Sequence, residues 1–145
     1  MTGITNPTEE YFKDGLWGWD GSQWRKLGIL FGYHSTLAQN ILNSSAAAGT
    51  NVLETAAVSS GEIWVVEAIG VMDVHHAPSG IIFCVRRGGE DYPFHDTTTT
   101  AASTWLCWTG RITLGPGDIV KIYILGCTAG DELKLRVLGY KVSLA

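Results

Sequence analysis

Residues 110–142 read GRITLGPGDIVKIYILGCTAGDELKLRVLGYKV, a run of short apolar segments broken by glycine that suits strands and nothing else. Near its end, Leu133, Leu135 and Val137 alternate with Glu132, Lys134 and Arg136, a period of two that sends one face inward and the other out. Past Gly139 the apolar phase changes, so that Leu138, Tyr140, Val142 and Leu144 carry it, and a glycine at a phase change marks a β-bulge. Earlier in the stretch, Leu114-Gly115-Pro116-Gly117-Asp118 suits a tight turn. Proline fixes φ at the second turn position and glycine takes positive φ at the third.

Outward from there the same punctuation continues. Apolar runs occupy 52–58, 62–72, 80–86, 105–114, 118–125 and 132–142. Between them lie Ser59-Ser60-Gly61, Ala77-Pro78-Ser79, Gly88-Gly89, Gly115-Pro116-Gly117 and the segment Gly126 to Gly130. The chain has 18 glycines in 145 residues, well above the ~7% of an average protein. These features predict an all-β fold, an antiparallel β-sandwich or jelly-roll-like barrel. Ile63, Trp64, Val65 and Val66 are apolar on both faces, which fits a central strand or one covered by another subunit. The best helical candidate is Ser35 to Leu42, where Leu37, Ile41 and Leu42 could share a face.

The N-terminal third reads differently. Residues 1–14, with Pro7 and the aromatic pair Tyr11-Phe12, form an expected extended arm. GLWGWDGSQWRKL (15–27) then holds Asp20-Gly21, a two-residue hairpin signal because a type I′ turn needs positive φ at both positions. That turn would set Trp17 against Trp24 and leave Trp17, Trp19 and Trp24 on one face. Three tryptophans on a small hairpin need a core or a partner to cover them. With Phe31 and Tyr33 from the next apolar run, the expected contact residues are Tyr11, Phe12, Trp17, Trp19, Trp24, Phe31 and Tyr33. Residues 43–51 (NSSAAAGTN) suit a crossing segment. The expected organisation is an arm over 1–14, a Trp-rich hairpin with its connection over 15–49, and a β-sandwich domain over 50–145.

Charge and cysteine usage bound the function. The net charge is −4, and the densest basic groups are the pairs Arg25-Lys26 and Arg86-Arg87, too short to track a phosphate backbone. Charged residues make up 17%, below the ~25% of a soluble domain, which favours surface covered by another chain. Cys84, Cys107 and Cys127 have no pairing or zinc spacing and read as buried small hydrophobes. The polar start at Met1 to Glu10 is no signal peptide, and no apolar stretch reaches the ~18 residues of a membrane span. Synthesis and assembly in a cytoplasm are expected, with neither nucleic acid nor membrane as partner.

Catalytic chemistry finds little purchase. Asp73, His75 and His76, with His95-Asp96, are the only metal or acid/base group in view. Adjacent histidines on a strand point to opposite faces, and ligand spacing is missing, so hydrogen bonding at a loop edge is the expected role and no metal is assigned. Glu54, Glu62 and Glu67 could form a glycosidase pair but read as solvated or hydrogen-bonded strand residues. No G-x-S-x-G elbow, phosphate loop or dinucleotide fingerprint occurs. Neither an enzyme nor a cofactor is expected. The alternative to assembly is a carbohydrate-binding or phage tail-fibre receptor-binding module that stacks sugars on the Trp17/Trp19/Trp24 face.

GLWGWDGSQWRKL (15–27) resembles an N-terminal motif of structural proteins of tailed bacteriophages. SSGEIWVVEAIGV (59–71), followed by residues 110–142, resembles phage virion β-sandwich domains, with a G-E-x-W-V-V strand, a L-x-x-G-D turn, T-A-G-D and a closing G-Y-K. Together these stretches cover roughly half the chain. Length, composition and polar arm are most similar to the capsid decoration (cement) proteins of long-tailed phages that infect Thermus. The resemblance implies a homotrimer on the outer capsid surface, bound to the major capsid protein and stabilising the shell, with no catalytic residues.

Overall fold

The computed structural model describes residues 17–19, 21–22, 24–26, 35–98 and 101–143. Its strands are β1 (Trp17–Trp19), β2 (Trp24–Lys26), β3 (Ser35–Asn43), β4 (Gly49–Glu54), β5 (Glu62–Asp73), β6 (Gly80–Arg87), β7 (Glu90–Thr97), β8 (Leu106–Leu114), β9 (Ile119–Cys127) and β10 (Leu133–Ser143). Among the described residues, β1 and β2 pair only with each other. The other eight form two four-stranded antiparallel sheets, ordered β3-β10-β5-β8 and β4-β9-β6-β7. This is a β-sandwich with jelly-roll connectivity, in which consecutive strands mostly alternate between sheets.

The alternation seen in the sequence is what closes it. Leu133, Leu135 and Val137 are fully buried and meet Leu37, Trp64, Val66, Ile69 and Val71 of their own sheet. Across the interior stand Leu53, Ile81, Phe83, Val120, Ile122 and Ile124. Local turn chemistry also holds. Asp118 N donates to Gly115 O at 3.1 Å and Gly117 has φ +85°, which closes the expected proline-glycine turn. At Gly88-Gly89, φ values of +59° and +84° make the two-residue link between β6 and β7.

The bulge falls where the glycine signalled it, but the extra residue lies on the partner strand. Leu138 pairs with Ala68 and Gly139 with Val66, so Glu67 of β5 is looped out. Gly139 supplies the room, since a Cβ there would collide with the Val65 carbonyl.

Several sequence expectations need correction. Residues 35–43 are strand, not helix: β3 pairs with β10 from Ser35 to Asn43 and buries Leu37. An eight-residue helix is marginal alone, whereas a strand on a sheet edge completes a ladder. β3 is therefore part of the sandwich, whose first described strand starts at Ser35, ahead of residue 50. β7, EDYPFHDT, carried no apolar run, and it is an edge strand where Pro93 is tolerated. The β1/β2 ribbon sets Trp19 against Trp24 and Trp17 against Lys26, leaving four residues, 20–23, between the strands in place of two. Cys107 is exposed, while Cys84 and Cys127 are buried.

Candidate functional site

The outer faces of the two sheets differ in chemistry. On β4-β9-β6-β7 the face is a charged network. Lys121 Nζ lies 3.2 Å from Asp91 and 3.6 Å from Glu54. Asp91 also accepts from Arg86 at 2.8 Å and from the Tyr123 hydroxyl. The Tyr123 bond, with those from Lys121 and Arg86, outweighs burial and holds the Asp91 carboxyl below the usual carboxylate range. Cys84 is buried here, its thiol pushed up by burial and by Asp91. A face of this kind is satisfied by water and by itself.

The outer face of β3-β10-β5-β8 is mixed, with apolar residues set between Lys134, Arg136 and a Glu67–Arg111 pair. β10 pairs with β3 without a break, and Gly139 sits opposite the inward-facing Leu37. Leu138, Tyr140 and Val142 therefore point away from the core, so the apolar residues of that phase change lie on the outer face. Tyr140 is opposite Val65, and Val142 opposite Ile63. Val65 and Val142 are buried yet stand outside the core cluster. Leu138 is 47% exposed and neighbours Ala38 and Ala68. Leu42, also on this face, is 59% exposed. Farther along, the Trp105 ring lies against Gly70, where a Cβ would come within 3.1 Å, and the Arg136 guanidinium sits 4.6 Å from its centroid. Glu67 and Arg111, at the bulge, pair at 3.7 Å.

Of the expected contact residues, Trp17, Trp19 and Trp24 lie on the β1/β2 ribbon, and its register brings Trp19 and Trp24 together. Trp19 is 52% exposed. Tyr11, Phe12, Phe31 and Tyr33 lie outside the described residues. Leu42 and Leu138 were missed as exposed positions. The available signal was an apolar residue at an outward phase on a strand whose other outward neighbours are small or polar.

Each end of the sandwich is tied by a buried aspartate. At one end Asp118 accepts from Arg87 Nε at 3.0 Å and Nη2 at 2.5 Å, and from Gly115 N at 2.9 Å. The Arg87 bonds lead the causes that hold its carboxyl low. At the other end the connections 44–48, 74–79, 101–105 and 128–132 meet. Asp131 accepts from Thr128 N at 2.7 Å and contacts His76 Nδ1 at 2.6 Å, while its backbone carbonyl accepts from Ala46 N. Asp73 Oδ1 accepts from the amides of His75 and His76 at 3.0 and 3.1 Å. The hydrogen bond to Asp131 raises the His76 pKa above the ordinary histidine value.

The remaining chemical candidates are scattered. His95 lies on β7, its ring centroid 5.3 Å from that of Phe83. Glu54 pairs with Lys121, Glu62 accepts from Trp64 Nε1 at 3.1 Å, and Glu67 pairs with Arg111. Among the described residues, no group of three or more His, Cys, Asp or Glu side chains converges as a metal site. A cleft of about 480 Å³ opens between β7 and β8, lined by Val85, Arg87, Tyr92, Ile112 and Thr113. Its charged member, Arg87, is already held by Asp118.

Comparison with protein-family models and with curated protein sequences returns no match for this chain.

Proposed function

We propose that this chain is a structural virion protein, a homotrimeric capsid decoration protein that sits on the outer capsid surface of a tailed phage and clamps neighbouring major capsid subunits against internal pressure. The observation that carries the reading is the contrast between the two sheets. One outer face is a charge network around Lys121 and Asp91, while the other exposes Leu138 beside Ala38 and Ala68, and Leu42 opposite Lys134. A sheet face of that composition gains free energy when another subunit covers it, at roughly 25 cal/mol per Å² of apolar surface. A separate ribbon with a half-exposed tryptophan adds an aromatic anchor of the type that dominates protein contacts. The motif resemblance at 15–27, 59–71 and 110–142 points the same way.

Mechanically, a shell under pressure fails where subunits part. A clip attached at several points rebinds before it can leave, and a closed trimer matches a three-fold position. Host bacterial cytoplasm is the place of assembly under this reading.

The test is co-sedimentation of the purified protein with decoration-free capsids. Saturable binding at three-fold positions, lost on Leu138→Asp while thermal unfolding is unchanged, is the expected result. Trp19 also suits a sugar platform. Failure to bind capsids, together with glycan binding that Trp19→Ala removes, would replace assembly with the carbohydrate-binding reading.

A further inference from the structure

Two unpaired charges of opposite sign stand on different sheets. Arg136 is on the outer face of β3-β10-β5-β8, opposite Gly70 of β5. The Trp105 ring fills the space over Gly70, and the exposed Arg136 guanidinium stacks 4.6 Å from its centroid. Among the described residues Arg136 has no ion pair. A stacked guanidinium has its plane fixed and its N–H edge open to a carboxylate. Two residues on, about 6.5 Å along the same face, Leu138 is 47% exposed.

The matching negative charge is on β7. Asp96 is exposed and has no cationic partner among the described residues, whereas Glu54, Asp91 and Asp118 are taken by Lys121, Arg86 and Arg87. Asp96 is opposite Ile82 and joins it, with Pro93, Phe94 and His95, around a shallow cleft of about 390 Å³. The cleft has a local cause. The register of β6 and β7 slips between Phe83 and Cys84, which leaves Phe94 unpaired in a bulge.

Symmetry limits how these patches can meet. The proposed function is a closed trimer, and this inference rests on that reading. A ring of three needs each patch to meet a different patch of the next copy, because a patch that meets itself gives a two-fold dimer. Leu138 therefore does not face Leu138. The larger cleft, between β7 and β8, is walled by Arg87, a cation like Arg136. We propose that in the trimer Leu138 of one copy enters the Ile82–Pro93 cleft of the next, and that Arg136 pairs there with Asp96. An apolar anchor beside a stacked arginine is the composition of an interface centre. Reversing either charge sets like charges against each other at all three contacts.

The experiment is light scattering of the intact chain against concentration, for wild type, Arg136→Glu, Asp96→Lys and the variant carrying both, with a urea midpoint for each. Wild type is expected as a trimer. Each single reversal should raise the half-dissociation concentration by at least roughly tenfold. The double reversal restores opposite charges across every contact and should recover most of that loss. Asp96→Lys removes no partner within the described chain, so it decides the matter even if Arg136→Glu folds poorly. A wild-type trimer that Asp96→Lys leaves equally tight overturns this pairing and leaves the trimer standing. A double reversal that is folded yet no tighter than the singles does the same. A wild-type monomer or two-fold dimer overturns the trimer and this contact together.

Discussion

At the scale of single residues, Gly139 and Leu138 are neighbours with opposite roles. Gly139 exists to let the Val65 carbonyl approach at the bulge. Gly139→Ala is expected to cost about 1–3 kcal/mol, the usual penalty for forcing atoms into occupied space, measured as a lower urea midpoint. Leu138 is half exposed on the outer face. Leu138→Asp should change the stability of the isolated subunit by no more than ~0.5 kcal/mol, as surface substitutions do, yet abolish subunit association. Gly117 and Gly139 were legible because turn and bulge chemistry is local. Leu138 was not, because a period of two tells which residues share a face and not which face meets the core. The phase change in GYKV is real; its apolar side simply looks outward.

At the scale of elements, the misread strands are the two that owe most to their neighbours. β3 looked helical at Leu37, Ile41 and Leu42, and its strand identity comes from nine pairings with β10. β7 has no apolar run and relies on β6 and on Phe94, whose ring meets Trp108 edge-on at 5.2 Å. A chain starting at Ser35 should therefore fold cooperatively, whereas one starting at residue 50 loses β3, uncovers the β10 edge and should aggregate or stay unfolded. Circular dichroism and urea titration of both would check this. The expected 50–145 division implies the reverse, a folded shorter chain.

The two ends of the sandwich give the pH profile. Arg87 lowers the Asp118 pKa, and Tyr123 first among its partners lowers that of Asp91. Their contribution is complete above the ordinary carboxylate range and is lost as pH falls through the lowered values. His76, raised by Asp131, contributes fully below the ordinary histidine value and loses that contribution as pH rises through its raised pKa. The urea midpoint should be highest between these limits. Asp118→Asn should flatten part of the acid limb and leave the alkaline one alone. Nothing in the sequence announced these ties, since Arg87 and Asp118 are 31 residues apart and His76 and Asp131 are 55 apart.

At the scale of the whole molecule, the sandwich was readable from alternation and turns, and the partner was not. Low overall charge hinted at a covered surface, but its position depends on which sheet received the charged side chains. Lys121, Asp91, Arg86 and Glu54 gather on β4-β9-β6-β7, whereas the opposite outer face exposes Leu138 and Leu42 beside the Glu67–Arg111 pair and Lys134. A carbohydrate module would need polar groups around its aromatic platform to orient a sugar. An assembly protein needs only a covered face and symmetry.

Light scattering of the purified full chain, alongside Leu138→Asp, tests that claim most directly. The account predicts a wild-type mass near three times 15.7 kDa and a folded monomer for the variant. A wild-type chain that stays monomeric at all concentrations would contradict it.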